Sequence, residues 1–238
     1  MHDALTDPNV IATLDRLHEA AKGDRWVFLR AAPSALWSVL RGGTVLQGVT
    51  PYLKDAYIPV TPEQGKFLYL TARLIDARTI VEFGTSFGIS ALYLASAARA
   101  NGGRFIGSEM EPHKIAAARA NLAEAGLDGV AEVRDGDAMQ TFADLPAPID
   151  LVLLDGWKEI YLPMIRMLRP KLRKGAAVLA DNIFTFPKEL ASYVAFVRDP
   201  ANGFESTTLP LGHGLEFSVV VREHEHAQTA REHAQTAR

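Results

Sequence analysis

The 238-residue chain is 48% apolar and 22% charged, with a net charge of −3 at neutral pH. That composition can fill the core of one substantial α/β domain and offers no basic excess for nucleic acid or an anionic membrane surface. There is no cysteine, which excludes disulfides, thiolate catalysis and cysteine-ligated zinc. The N-terminus (Met1-His2-Asp3-Ala4) lacks a signal-peptide pattern and the apolar runs are too short to span a bilayer, so a cytoplasmic protein without a membrane partner is expected.

In chain order, Ile11, Leu14, Leu17 and Ala21 recur at helical spacing and predict an amphipathic helix over Val10–Ala21. The stretch Trp26–Tyr57 carries Pro33, Gly42-Gly43, Gly48 and Pro51 and reads as short helices and loops. Thr61-Pro62-Glu63-Gln64 is a helix start: Thr61 caps, Pro62 suits the first helical position, and Gln64 can reach back to close a capping box.

From Ala77 the pattern becomes regular. Short apolar runs at Thr79–Phe83, Arg104–Ser108, Ala131–Arg134, Asp150–Leu154 and Ala176–Ala180 alternate with helical stretches, as buried parallel strands do. One helix starts near Pro112, repeats Ile115, Ala118, Leu122 and Ala125 on one face, and ends at Gly126. Another spans Tyr161–Leu168. Phe204–Leu211 and Leu215–Arg222, joined by Gly212-His213-Gly214, predict an antiparallel hairpin. The expected fold is α/β, Rossmann-like and doubly wound, a mostly parallel seven-stranded sheet with an antiparallel C-terminal edge hairpin. Residues 1–54 are expected to form an N-terminal helical region that caps substrate or contacts a second subunit, leaving a homodimer open. Residues 55–222 form the main domain. In the tail, 223–238, Glu225–Arg231 is repeated as Glu232–Arg238, which reads as disordered low complexity rather than as a histidine metal tract.

Ile80–Ser90 runs from a strand through Gly84-Thr85-Ser86-Phe87-Gly88 into a helix, a geometry that lets a ligand approach backbone and unpaired N–H groups. Three chemistries share it. A dinucleotide site would need Gly-x-Gly-x-x-Gly spacing, which is absent here. A nucleophile elbow would make Ser86 attack, with His213 as base and Asp181 between them, but leaves Glu82, Glu109 and the later acids unused. An S-adenosylmethionine site would place the turn beneath the amino-acid part of the cofactor. Glu109 ends the next strand, where a carboxylate can accept both ribose hydroxyls. Asp137 and Ala138 follow the third strand, where a carboxylate can accept an adenine amino group or simply make a turn.

The fourth strand ends in Asp155-Gly156-Trp157-Lys158 and the fifth in Asp181-Asn182, with one helix between them. Neighbouring strand ends at the carboxyl edge of an open sheet form a ligand crevice. Asp155, Asp181 and Asn182 would present two carboxylates and an amide oxygen, hard donors suited to Mg²⁺. Each acid alone could merely cap a helix.

Val60–Leu68, Glu82–Ser90, Leu154–Pro163, Leu172–Gly175, Leu179–Asn182 and Gly214-Leu215-Glu216 together resemble the metal-dependent O-methyltransferases that include catechol and caffeoyl-CoA O-methyltransferase, nearest the catechol branch, over about residues 55–222. The resemblance implies a class I, S-adenosylmethionine-dependent enzyme with a small aromatic vicinal diol as substrate. It makes Asp155, Asp181 and Asn182 the Mg²⁺ ligands, Lys158 the general base, and Glu216 the carboxylate holding the second hydroxyl. Val60, Glu82, Gly84, Ser86, Gly88, Ser90, Glu109, Asp137, Ala138, Asp155 and Trp157 become cofactor contacts. Gly156 departs from the pattern, standing where the catechol enzyme has a histidine that packs on the adenine. A non-catalytic cofactor-binding module is the remaining alternative.

Overall fold

Seven strands hydrogen-bond into one sheet in the order β3-β2-β1-β4-β5-β7-β6. They are β1 (Thr79–Phe83), β2 (Arg104–Glu109), β3 (Ala131–Asp135), β4 (Ile149–Leu154), β5 (Leu172–Ala180), β6 (Phe204–Leu209) and β7 (Leu215–Val220). The structure, a computed structural model, describes residues 4–23, 32–34, 36–38, 40–42 and 59–222. The readings of the rest of 24–58 and of the repeated tail lie outside the described residues.

The first five strands are parallel, and β7 pairs antiparallel with both β5 and β6. The expected hairpin is therefore at the edge, with β7 turned inward and β6 outermost. Strand order reverses between β1 and β4, so the crevice above their carboxyl ends is the switch point where open α/β sheets bind ligands. β4 is buried along its whole length, as its continuous Ile-Asp-Leu-Val-Leu-Leu run predicts.

Period-two alternation divides the core between the two faces of the sheet. Ile80, Leu151, Leu153, Ala177 and Leu179 join one cluster with residues of α1 (Pro8–Ala21), α2 (Pro62–Leu74), α3 (Ile89–Ala100) and α4 (Pro112–Glu124). Val81, Val152, Leu154, Val178 and Ala180 join the other with α5 (Ala138–Thr141), α6 (Tyr161–Leu168) and α7 (Ala191–Arg198). No helix among the described residues is long and apolar enough to cross a membrane.

α1 buries Val10, Leu14, Leu17 and Ala21, whereas Ile11 is 44% exposed. Only the first member of the expected stripe changes, from Ile11 to Val10, because i, i+4, i+7 and i+11 starting at Val10 follow the helical period more closely. This helix packs on its own domain, tied by Arg99 to Asp7 (3.0 Å) and by Arg16 to Asn121 (2.8 Å). The capping box of α2 forms as expected: the Gln64 N–H donates to Thr61 Oγ1 (3.2 Å) and the Thr61 N–H donates to Gln64 Oε1 (3.0 Å).

One turn further along α2, a Cβ added at Gly65 would lie 2.2 Å from the Tyr93 ring. Tyr93 is itself buried and cannot retreat into solvent. Alanine in a helix interior normally gains about 1 kcal/mol over glycine, but overpacking costs about 1–3 kcal/mol. Gly65→Ala should therefore lower the unfolding free energy by up to about 2 kcal/mol in urea denaturation, and a gain would show that the Tyr93 ring has room to move.

Candidate active site

The carboxyl ends of β1, β4 and β5 bring the predicted residues together through backbone pairing. The Asp155 N–H donates to Phe83 O (2.9 Å) and the Asp181 N–H donates to Leu154 O (3.0 Å), extending the ladder by one residue past each strand. Since Leu154 registers with Ala180, Asp155 and Asp181 stand side by side, one strand spacing of about 5 Å apart. Asn182 follows in a left-handed conformation (φ 71°), which asparagine tolerates better than most residues, and its Nδ2 donates to Asp181 Oδ2 (3.3 Å).

Lys158 rises from the short 3₁₀ turn Lys158–Ile160 and is buried. Its Nζ donates to the Tyr161 hydroxyl (2.9 Å) and lies 3.6 Å from Asp155 Oδ1. Burial lowers the Lys158 pKa, against the pull of the Asp155 and Asp181 charges. Burial likewise raises both aspartates. Lys158 draws Asp155 back while Asp181 pushes it further up, and the Asn182 backbone N–H, Lys158, His213 and Gln64 moderate Asp181. Tyr161 is buried and held protonated, its pKa pushed well up by burial and by the two carboxylates. Among the described residues no three His, Cys, Asp or Glu side chains form a metal-binding group. The donors here are two carboxylates and one amide.

Across the crevice, Gly84 (φ +95°) lies so close to the next turn that a Cβ would meet Asp155 O at 2.6 Å. Gly88 begins α3 in a left-handed conformation with no side-chain cap, leaving first-turn N–H groups open to a ligand. Glu109 accepts the N–H groups of Ser86 (2.8 Å), Met110 (2.7 Å) and Glu111 (3.0 Å). These three bonds fill three of roughly four lone-pair positions.

A methyltransferase-domain family matches residues 81–183. A catechol O-methyltransferase of Niastella koreensis is 34% identical over 152 residues, which make up 61% of this chain and 68% of that protein. A catechol O-methyltransferase of Mycobacterium tuberculosis is 39% identical over 127 residues, covering 53% of this chain and 57% of that protein. The chain belongs to the S-adenosylmethionine-dependent O-methyltransferases. Among solved structures, O-methyltransferase TomG from Streptomyces achromogenes in complex with SAM superposes with a TM-score of 0.63 at 28% identity, covering 69% of this chain and 82% of that one.

Within this methyltransferase, Val60, Gly84, Ser86, Gly88 and Glu109 lie on the α2 approach, the β1 turn and the end of β2, and Asp155 and Trp157 follow β4. Ser90 and Ala138 are buried. Asp137 accepts the Met139 N–H (2.9 Å) as the N-cap of α5, so its visible task is the local one. Trp157 is 40% exposed beside Lys158. The hydrolase alternative loses its geometry. Ser86 follows β1 and His213 precedes β7, three strand positions apart in the sheet, or about 14 Å.

Glu216, expected to hold a substrate hydroxyl, has partners of its own in the hairpin. It is fully buried in β7, and Arg198 clamps it with Nε (2.8 Å) and a terminal nitrogen (2.9 Å). Ser206 adds a bond of 2.7 Å, and Thr208 donates as well. Burial alone would raise this carboxyl, but the bonds from Arg198, Thr208 and Ser206 outweigh it and hold the group below its ordinary range. The partners come from α7 and β6, so the Glu216 carboxylate is committed to the hairpin, although its backbone pairs with Ala180, the residue before Asp181. Sequence reasoning also missed Tyr161, which holds Lys158, although its position three residues on along a helical turn was a usable signal.

Glu82 is completely buried in β1 beneath the turn, and neither carboxyl oxygen has a hydrogen-bond partner among the described residues. Burial pushes its pKa up to about 8, and the nearby Ser90 and Thr85 hydroxyls only partly offset that rise. The folded carboxyl thus binds a proton that the unfolded chain releases near pH 4.5, so this group's contribution to stability is full in acid and falls as pH rises towards about 8. Glu82→Gln should flatten that decline, and denaturant unfolding between pH 5 and 9 checks it, with roughly a few kcal/mol at stake. An unchanged slope would mean that Glu82 is ionised in the fold.

Proposed function

We propose that this methyltransferase moves a methyl group from S-adenosylmethionine to a hydroxyl of a small aromatic vicinal diol of the catechol type, with Mg²⁺ or another divalent cation held by Asp155, Asp181 and Asn182. The supporting observation is the buried Lys158 Nζ 3.6 Å from Asp155 Oδ1, beside the buried Asp181 carboxylate on the adjoining strand. The two relatives named as catechol O-methyltransferases support the acceptor class.

The residues fit both groups. For the cofactor, the uncapped N-terminus of α3 follows the Gly84–Gly88 turn, which itself packs backbone to backbone on the Asp155-Gly156 turn, and offers unpaired N–H groups. Two carboxylates with an amide form a hard oxygen donor set, and the aspartates' charged forms, disfavoured by burial, are those a divalent cation would stabilise.

Bound S-adenosylmethionine supplies an electrophilic methyl group on its sulfonium. A bound cation stabilises the deprotonated form of an acceptor hydroxyl, which in a free phenol has a pKa of about 10. The remaining tasks fall to the chain. Lys158 Nζ, in the neutral form that burial favours, takes the hydroxyl proton. The Tyr161 hydroxyl fixes that nitrogen at 2.9 Å. Trp157 and Phe184, 40% and 58% exposed, follow Asp155 and Asn182 closely in the chain and carry ring faces suited to a planar acceptor. The gain from such positioning is largely entropic.

With a simple catechol as acceptor, methyl transfer should vanish on exhaustive chelation and return with Mg²⁺. Activity that persists without divalent cations would remove the metal from the reaction. Lys158→Ala should lower kcat by about 10²–10⁴-fold while the calorimetric affinity for S-adenosylmethionine stays within about 3-fold. Loss of cofactor binding instead would reassign Lys158 to the cofactor site.

A further inference from the structure

Gln64 closes the capping box of α2, and its side chain has a second partner far along the chain. Because Oε1 accepts the Thr61 N–H, the amide is fixed in the plane and its NH₂ must face the other way. There Nε2 donates to Asp181 Oδ1 at 3.1 Å, in a contact closed to solvent, and Gln64 is only 2% exposed. The β6–β7 hairpin lies directly on this amide. A Cβ at Gly212 would come within 2.2 Å of the amide carbon, and Gly212 has φ +57°. One side chain thus touches the start of α2 next to Val60, the end of β5, and the hairpin loop.

We propose that Gln64 is a positioning residue for Asp181: its NH₂ holds Oδ1 so that the remaining lone pairs point towards Asp155, and divalent-cation affinity depends on that bond rather than on the cap. The inference rests on the metal reading of Asp155 and Asp181 given above. The sequence consequence is a division of labour within one amide. The oxygen serves the helix and the nitrogen serves the site.

Thr61→Ala removes the hydroxyl half of the capping box but leaves Gln64 bonded to Asp181. Gln64→Met keeps the length of the side chain and removes both amide functions. Both variants should melt at a lower temperature than the parent chain, since each breaks the box. Mn²⁺ titrated calorimetrically into the full chain separates them. Gln64→Met should weaken Mn²⁺ binding by about 10–100-fold, the usual cost of losing a hydrogen-bond partner of a metal ligand, with Thr61→Ala within about 2-fold of the parent. Equal Mn²⁺ affinities in all three proteins would reduce Gln64 to a cap and leave the metal reading standing. An unmutated chain whose Mn²⁺ binding is absent, or is insensitive to Asp155→Asn, would overturn the metal reading and this inference with it. Should Gln64→Met fail to fold, Gly212→Ala crowds the same amide without removing a polar atom. It should weaken Mn²⁺ while leaving S-adenosylmethionine affinity intact, and an unchanged Mn²⁺ affinity overturns the proposal.

Discussion

The carboxyl edge of the sheet holds two carboxylates side by side at the ends of adjacent parallel strands, largely out of bulk water, and the proposed chemistry depends on them. Burial and mutual repulsion both disfavour this arrangement, and both aspartates are pushed towards protonation. What holds them is backbone geometry. β4 is buried on both faces, its register with β5 is fixed, and each aspartate N–H is bonded to the neighbouring strand. A one-residue slip would turn every side chain of β4 to the opposite face, at the cost of both core clusters. The hydrophobic sheet therefore supplies the free energy that keeps an electrostatically unfavourable pair in place, while Lys158, Gln64 and Asn182 moderate the penalty locally.

The same constraint joins the two halves of the crevice. Gly84 and the Asp155-Gly156 turn touch backbone to backbone, so the cofactor side and the carboxylate pair share a wall with no side chain between them. Gly156, which departs from the catechol enzyme's pattern, has a physical counterpart here. A Cβ at that position would lie 2.5 Å from the Phe83 ring. Phe83 meets Tyr161 edge-on at 6.3 Å, and Tyr161 meets Tyr193 at 5.7 Å, so a stack of aromatic rings backs the Lys158 site. Gly156 and Phe83 are thus two parts of one packing solution, in which the space beside the turn is filled from β1.

What was legible in the sequence was local. Strand runs, the α6 boundaries, the capping box and the hairpin each depend on residues within a few positions of one another, and all appear in the fold. Asp155, Asp181 and Lys158 were legible because strand ends in a parallel sheet converge by topology, before any side-chain detail is known. The remainder depends on contacts between distant residues. Gln64 reaches Asp181 across 117 positions, and nothing in its own neighbourhood reveals a use for its nitrogen. The choice of Val10 over Ile11 as a core residue was missed because the two apolar residues are adjacent, and the closer spacing of Val10 to Leu14, Leu17 and Ala21 was overlooked.

Glu216 shows where motif and environment part. Its residue type matches the resemblance, yet its surroundings give it other work. Four hydrogen bonds hold it ionised against burial, and the bidentate clamp from Arg198 neutralises it. Turning this carboxylate towards a ligand would strip Arg198, Ser206 and Thr208 of their partner and expose a buried charge during the exchange, a change typically worth several kcal/mol. A hydroxyl bonded to that ionised carboxylate gains about 1.5–3 kcal/mol. The comparison favours Glu216 as the strut joining α7 to β6 and β7. On the proposed reading, the groups left to meet an acceptor are those whose bonds are not committed to the hairpin: the Asp155–Asp181 pair, Lys158, and the exposed rings of Trp157 and Phe184.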